Sequence, residues 1–218
     1  MTSLEFQNVS YSHDKKDILH NLSLTVSPGD YISIVGPSGS GKSTFLKLCC
    51  HLISPTEGKI FFHGKNMLQQ DPTELRKKIS YCFQEPVLWG STIRDNLAFP
   101  YQIRSMKPDW ERATALLSDF SMDKSCLDQD IGGLSGGERQ RVALVRTILF
   151  EPEILLLDEI TSALDAKNTS LVEKAILGLN RKGITVLWVT HNAEQSRKYA
   201  NKLMAIEGGR IKSLEAIR

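Results

Sequence analysis

The stretch Tyr31–Thr44, YISIVGPSGSGKST, decides how this chain folds. Tyr31 to Val35 is almost continuously apolar, which predicts a strand buried on both faces. It runs without a break into a loop punctuated by Gly36, Gly39 and Gly41. From Gly36 to Ser43 the pattern is G-x-x-x-x-G-K-S. Glycines are needed there because the backbone must curl tightly enough for successive N–H groups to converge on phosphate oxygens. Gly36, Pro37, Ser38, Gly39, Ser40, Gly41, Lys42, Ser43 and Thr44 are therefore the expected phosphate cradle. Lys42 supplies a point charge for β- and γ-phosphates and Ser43 a hydroxyl ligand for Mg²⁺. The helix predicted from Lys42 to about His51 adds the positive end of its dipole. A buried strand just before and a helix just after separate such a loop from a chance run of glycines.

Upstream, LEFQNVSY and ILHNLSLTV alternate apolar and polar residues around the polar turn His13–Asp17, predicting antiparallel strands with one exposed face. Downstream of Pro55-Thr56-Glu57-Gly58, strands are expected at Lys59–His63 and Ile79–Phe83, with a short helix near Glu74–Lys78 between them. From Gln84 to about Phe150 no buried strand is legible, and the spacing of Ala113, Leu116, Leu117 and Phe120 suits an amphipathic helix. After Glu151-Pro152 the strands EILLLD, ITVLWVT and KLMAIE alternate with helices, one running from about Ala166 to Leu179. Such alternation builds a parallel sheet layered with helices, an α/β fold. Gly208-Gly209 closes a final hairpin.

Two other places carry chemistry on their own residues. ILLLDE ends an apolar strand in adjacent carboxylates that alternation sends in different directions. Standing alone, the pair reads as two carboxylates capping a strand at the surface; beside the phosphate loop, Asp158 is placed to hold the Mg²⁺ shell and Glu159 to face the γ-phosphate as the general base that polarises the attacking water. Leu134–Arg141, LSGGERQR, sets a Ser-Gly-Gly turn at the start of a helix reaching about Phe150. Helix N-termini bind anions, and since the chain already has one phosphate loop, this second one points to the phosphate of a partner copy.

LSGGERQR beside GPSGSGKST and ILLLDE resembles the ABC ATPase family along essentially the whole chain. The resemblance implies a P-loop NTPase fold with a RecA-like core and an antiparallel β subdomain in 1–84 and 151–218, and a helical subdomain in 85–150. It implies ATP and Mg²⁺ as ligands. It also implies head-to-tail pairing of two copies, with Ser135, Gly136 and Gly137 of one meeting the nucleotide on Lys42 of the other. By position, Tyr11 stacks on adenine, Gln84 senses Mg²⁺ and relays to a membrane subunit, and Asp165 crosses the dimer interface. His191, after ITVLWVT, matches the histidine that contacts the γ-phosphate. Alone it would count for little, and His13, His20, His51 and His63 are read as structural. Gln84–Pro100 resembles the loop of ABC exporters, in a groove for a polytopic permease that Trp89, Phe99 and Tyr101 either line or leave for the core. FPYQIR, the spacing to Pro108-Asp109, and DEITSALD resemble the free-standing ATPases of bacterial two-component iron-export systems. Ile160, where many family members carry proline or alanine, agrees with that narrower group.

Bulk properties bound the partners. The 27 basic and 25 acidic residues leave a net charge of +2, too even for wholesale binding to nucleic acid. A soluble ABC ATPase acting in translation or DNA repair is the alternative. It is disfavoured by this balance, by the single ATPase domain and by the lack of a coiled-coil insertion. A P-loop kinase or GTPase would leave LSGGERQR unexplained. Cys49, Cys50, Cys82 and Cys126 have no C-x-x-C spacing and read as buried thiols in a reducing compartment. No run approaches the ~18 apolar residues that a membrane span requires. The expected location is cytoplasmic, peripheral on the membrane through the permease.

Overall fold

The structure, a computed structural model, describes residues 2–217. Strands β1 (Leu4–His13) and β2 (Lys16–Val26) form the expected antiparallel pair. Asp14 and Lys15 turn between them with φ of 48° and 62°, left-handed values that match the twist of the flanking strands. In chain order there follow β3 (Tyr31–Val35), α1 (Lys42–Cys49), β4 (Glu57–Phe62), β5 (Lys65–Asn66), α2 (Pro72–Lys78) and β6 (Ile79–Cys82). Then come α3 (Ile93–Gln102), α4 (Trp110–Asp119), α5 (Gly136–Ile148), β7 (Ile154–Asp158) and α6 (Ala166–Arg181). The chain finishes with β8 (Thr185–Val189), α7 (Ala193–Lys198), β9 (Lys202–Glu207) and β10 (Arg210–Ala216). Among the described residues no helix is long and apolar enough to cross a membrane.

The contacts divide the chain into two units. One gathers the chain up to Tyr81, Pro152–Glu159 and everything from Asn180 onward, and the other gathers Cys82–Glu151 and Ile160–Leu179. Residues 160–179 thus group with the helices, although in sequence they follow β7 of the sheet.

The first unit holds a four-stranded sheet, ordered β2-β1-β4-β5, and a six-stranded sheet, ordered β10-β9-β3-β8-β7-β6, whose outermost strand β6 reaches the unit boundary. Within the larger sheet β3 runs parallel to β8 and β9, and β7 parallel to β8, while β10 returns antiparallel. Every residue of β7 and β8 is buried, which is what the unbroken apolar runs demanded. Each such Leu or Val contributes roughly 1.5–3 kcal/mol on leaving water. Phe45, Leu46, Leu48 and Cys49 of α1 join one core with Phe6, Ile34, Leu156 and Val189. The Phe45 and Phe6 rings lie 5.1 Å apart. Helix α1 stops at Cys49, short of the expected His51, and the His51 φ of 52° turns the chain away. Helix α2 starts earlier than expected, because Asp71 caps the N–H groups of Thr73 and Glu74 and Pro72 fills the first turn, a favoured pairing at helix starts.

The second unit is helical. α3 and α4 both pack on α5, burying Ile93, Leu97, Ala113, Leu117, Val142, Val145 and Ile148. Leu117 and Ala113 fall on the predicted stripe, as does the buried Phe120 just past the helix. The two readings of the aromatics separate here. Tyr101 is 2% exposed and belongs to this core, its hydroxyl donating to the Asp109 carbonyl, whereas Trp89 and Phe99 are 48% and 41% exposed.

Candidate active site

The parallel register places the predicted residues of the first unit along one edge of its sheet. Asp158 pairs with Val189, and Val189 with Ile34, so the chain leaves β7, β8 and β3 from a single row. Just beyond that row come Glu159, His191 and the glycine loop, at the carboxyl ends of parallel strands where open α/β sheets bind ligands.

The loop is held by its glycines. Gly36 has φ 149°, and a Cβ there would lie 2.0 Å from the Ile206 carbonyl oxygen of β9. At Gly41 φ is 100°, and a Cβ would meet Leu19 Cδ2 at 2.5 Å. The Gly36→Ala variant should therefore lose on the order of 3 kcal/mol of stability from strain and overlap together. Urea unfolding reads this directly, and an unchanged midpoint would contradict the close approach.

Helix α1 begins at Lys42 with no side-chain cap and no acidic residue in its first turn, so its N–H groups and dipole are left for an anion. Lys42 is 5% exposed, and its ammonium donates to the carbonyls of Gly36 and Pro37 at 2.9 and 2.8 Å. Burial pulls its pKa below the usual lysine value, against the opposing fields of Glu159 and Asp158. A phosphate arriving here meets a lysine that shares it with nothing stronger than two carbonyl groups.

The carboxylates differ as alternation required. Asp158 is 3% exposed; its Oδ2 accepts from the Tyr81 hydroxyl at 2.7 Å, and its Oδ1 is buried with no hydrogen-bond partner. Glu159 turns at φ 48°, its N–H donating to the Val189 carbonyl, and its Oε1 lies 2.7 Å from His191 Nε2. The base candidate and the histidine are therefore neighbours, a contact no local pattern disclosed. No pattern in the sequence pointed to Tyr81 either: it lies on an expected strand, but its partner is 77 residues away in sequence. Tyr11 is partly buried against the core of this unit, paired in register with Leu19, whose side chain approaches Gly41.

The remaining candidates lie in the second unit. Ser135 caps α5 in a reciprocal box with Glu138. Its hydroxyl donates to Glu138 Oε2 at 2.7 Å and its N–H to the same oxygen at 2.8 Å, and these bonds hold the Glu138 carboxyl below the usual range. Ser135 and Gly136 are exposed and Gly137 half-buried. Buried Gln140 donates to the Phe83 carbonyl at 3.3 Å, anchoring the chain next to exposed Gln84. Asp165 accepts from the Asn168 N–H and side-chain amide at 2.7 and 2.8 Å, and these bonds lower its pKa.

A buried strand, a glycine loop and a helix around Lys42, with Asp158, Glu159 and His191 along the same sheet edge, define a P-loop nucleoside triphosphatase. The ABC transporter family matches residues 19–162. A probable iron export ATP-binding protein of Escherichia coli is 43% identical, over 94% of this chain and 91% of the relative. ABC transporter I family member 17 of Arabidopsis thaliana is 38% identical, over 91% and 76%. Among solved structures, a dimeric ATP-binding cassette in a post-hydrolysis state with ADP and Pi matches with a TM-score of 0.87 at 31% identity, covering 99% of each chain. A bacterial Atm1-family ABC exporter with ATP bound gives 0.91 at 29%, over 99% of this chain and 39% of that one. The chain belongs to the ABC transporter family, as an ATPase that binds ATP.

Proposed function

We propose that this ATPase powers export through a separate polytopic permease, as one half of a head-to-tail ATP sandwich, with iron or another metal as cargo. The reading of the pairing draws on the exposed Ser135-Gly136 start of α5, a second glycine-rich helix start in a chain whose own phosphate loop lies at α1, and its Ser135–Glu138 box would open to admit a phosphate. In the sandwich, Ser135, Gly136 and Gly137 of one copy face the γ-phosphate held by Lys42 of the other, and Asp165 lies at the interface. Closure then assembles the site and hydrolysis releases it, so that turnover is conditional on pairing.

Within each half, the N–H groups from Gly36 to Thr44 and the Lys42 ammonium bind the phosphates, and Tyr11 stacks on adenine. Asp158 Oδ1 and the Ser43 hydroxyl are oxygen donors of the kind Mg²⁺ takes alongside substrate phosphates, and these two residues would hold the ion. Held there, the ion would supply positive charge to offset that of the phosphates. Glu159 accepts the proton of the attacking water, and His191 orients that carboxylate from 2.7 Å while reaching the γ-phosphate.

The permease reading draws on the segment from Gln84 to Tyr101. Val87, Trp89 and Phe99 expose apolar surface, and this surface is braced from behind. Arg146 donates to Asn96 Oδ1 and the Val87 carbonyl at 3.0 and 2.9 Å and lies 4.0 Å over the Trp89 ring. Burial brings its pKa down to about 10. Asn96, fully buried, bonds the Trp89 N–H and carbonyl. A rigid aromatic platform of this kind suits a docked helix. It would hold the chain at the cytoplasmic face of the membrane. The cargo and direction draw on the name of the Escherichia coli relative and on the exporter-like loop. A deletion strain should accumulate iron and lose tolerance to it, and the wild-type gene should restore both. Unchanged iron content and unchanged tolerance would overturn the cargo and the direction.

A further inference from the structure

Asp158 presents an unusual economy of donors. It is a carboxylate, 3% exposed, at the end of a wholly apolar strand, yet only one of its two oxygens is satisfied within the protein: Tyr81 donates to Oδ2 at 2.7 Å, and Oδ1 is left bare. Native interiors seldom leave a buried carboxylate oxygen without a partner from the protein, and such an atom is placed to bind an ion or a water. The donor is also held firmly. Tyr81 stands on β6, next to β7 in the sheet, and its ring packs against the apolar core of the unit. Only the hydroxyl at its tip reaches the carboxylate.

We propose that Tyr81 is a positioning residue for the metal bound with ATP. By engaging Oδ2 from a partly buried ring packed against the core, it sets the plane of the Asp158 carboxylate and directs Oδ1 to the cation. Side chains that hydrogen-bond the ligands of a metal fix their orientation, and losing one typically weakens metal affinity about 10–100-fold. Tyrosine chemistry fits this role, since a phenol hydroxyl donates a hydrogen bond without adding a cationic side chain at the carboxylate. A phenylalanine would fill the same volume and leave Asp158 free to rotate about its side-chain bonds. The inference rests on the assignment of Asp158 to the metal, and the test separates the two.

The test is Tyr81→Phe, with Asp158→Asn alongside, in the full chain. Binding of a fluorescent ATP analogue is titrated in EDTA and in rising Mg²⁺, and Mn²⁺ bound in the presence of ATP is counted by electron paramagnetic resonance. In EDTA, Tyr81→Phe should bind nucleotide within about twofold of wild type, showing an intact loop, while its half-saturating Mg²⁺ and its Mn²⁺ dissociation constant rise about tenfold. A purely structural tyrosine would lower the unfolding midpoint and leave both metal constants unchanged, and that result would overturn the proposal. If Asp158→Asn also leaves the metal constants unchanged, the assignment of Asp158 itself is at fault. If Asp158→Asn weakens metal binding and Tyr81→Phe does not, only the role of Tyr81 falls.

Discussion

Glu159→Gln should cut ATP turnover by at least about 100-fold, the usual contribution of a positioned base, while ATP still binds. The substitution is isosteric, and its amide oxygen can still meet His191 at the 2.7 Å separation seen for Glu159. The φ of 48° at this position asks nothing of glutamine that it does not ask of glutamate. What disappears is the proposed proton acceptor. Because hydrolysis opens the proposed sandwich, the variant should also accumulate as an ATP-bound dimer, visible as a shift in size-exclusion elution that ADP does not produce. Near-normal turnover would remove Glu159 from the role of base.

Ser135→Ala should slow hydrolysis on the order of 100-fold, as the loss of one preorganised donor to a developing phosphate charge does. Nucleotide affinity of the isolated chain should be unchanged, because Lys42 and its loop lie in the other unit. The hydroxyl is at present bonded to Glu138, so it must turn to serve a phosphate. Alanine also removes the cap that accepts the Glu138 N–H, a loss of about 1 kcal/mol. The Ser135 N–H keeps its bond to Glu138 Oε2, which leaves the start of α5 in place. Steady-state ATPase assays beside nucleotide titrations separate the two effects, and full turnover with a measurably weaker helix would show the serine to be only a cap.

What could be read from the chain in advance was what lies close together along it. Tyr31–Thr44 contains its own strand, loop and helix start, and ILLLDE its own strand and carboxylates, so apolar runs and glycine positions sufficed to place them. Contacts that close over long separations were not legible. Tyr81 and Asp158 meet because β6 and β7 are neighbours in the sheet, and nothing in either strand announces its neighbour. His191 and Glu159 meet because β7 and β8 share a register that brings Asp158 opposite Val189. Nothing in the sequence separated Tyr101 from Trp89, and only the fold shows its ring packed edge-on against Phe150 at 4.8 Å. The resemblance puts Asp165 at an interface between copies, and the fold adds that its carboxylate holds Asn168 at the start of α6.

The central claim, that each ATP is hydrolysed between two copies, is tested most directly by mixing two inactive variants. In the proposed sandwich, a Glu159→Gln chain would lack the base beside its own nucleotide, and a Ser135→Ala chain the donor it lends to its partner. In a head-to-tail pair of one of each, both defects fall on one site and the other site is intact. Random pairing of equal amounts puts half the pairs in this state, each with one working site of two, so the mixture should recover about a quarter of wild-type turnover. A mixture that stays at the level of its parents would mean that each chain must complete its own site, and the sandwich would be wrong.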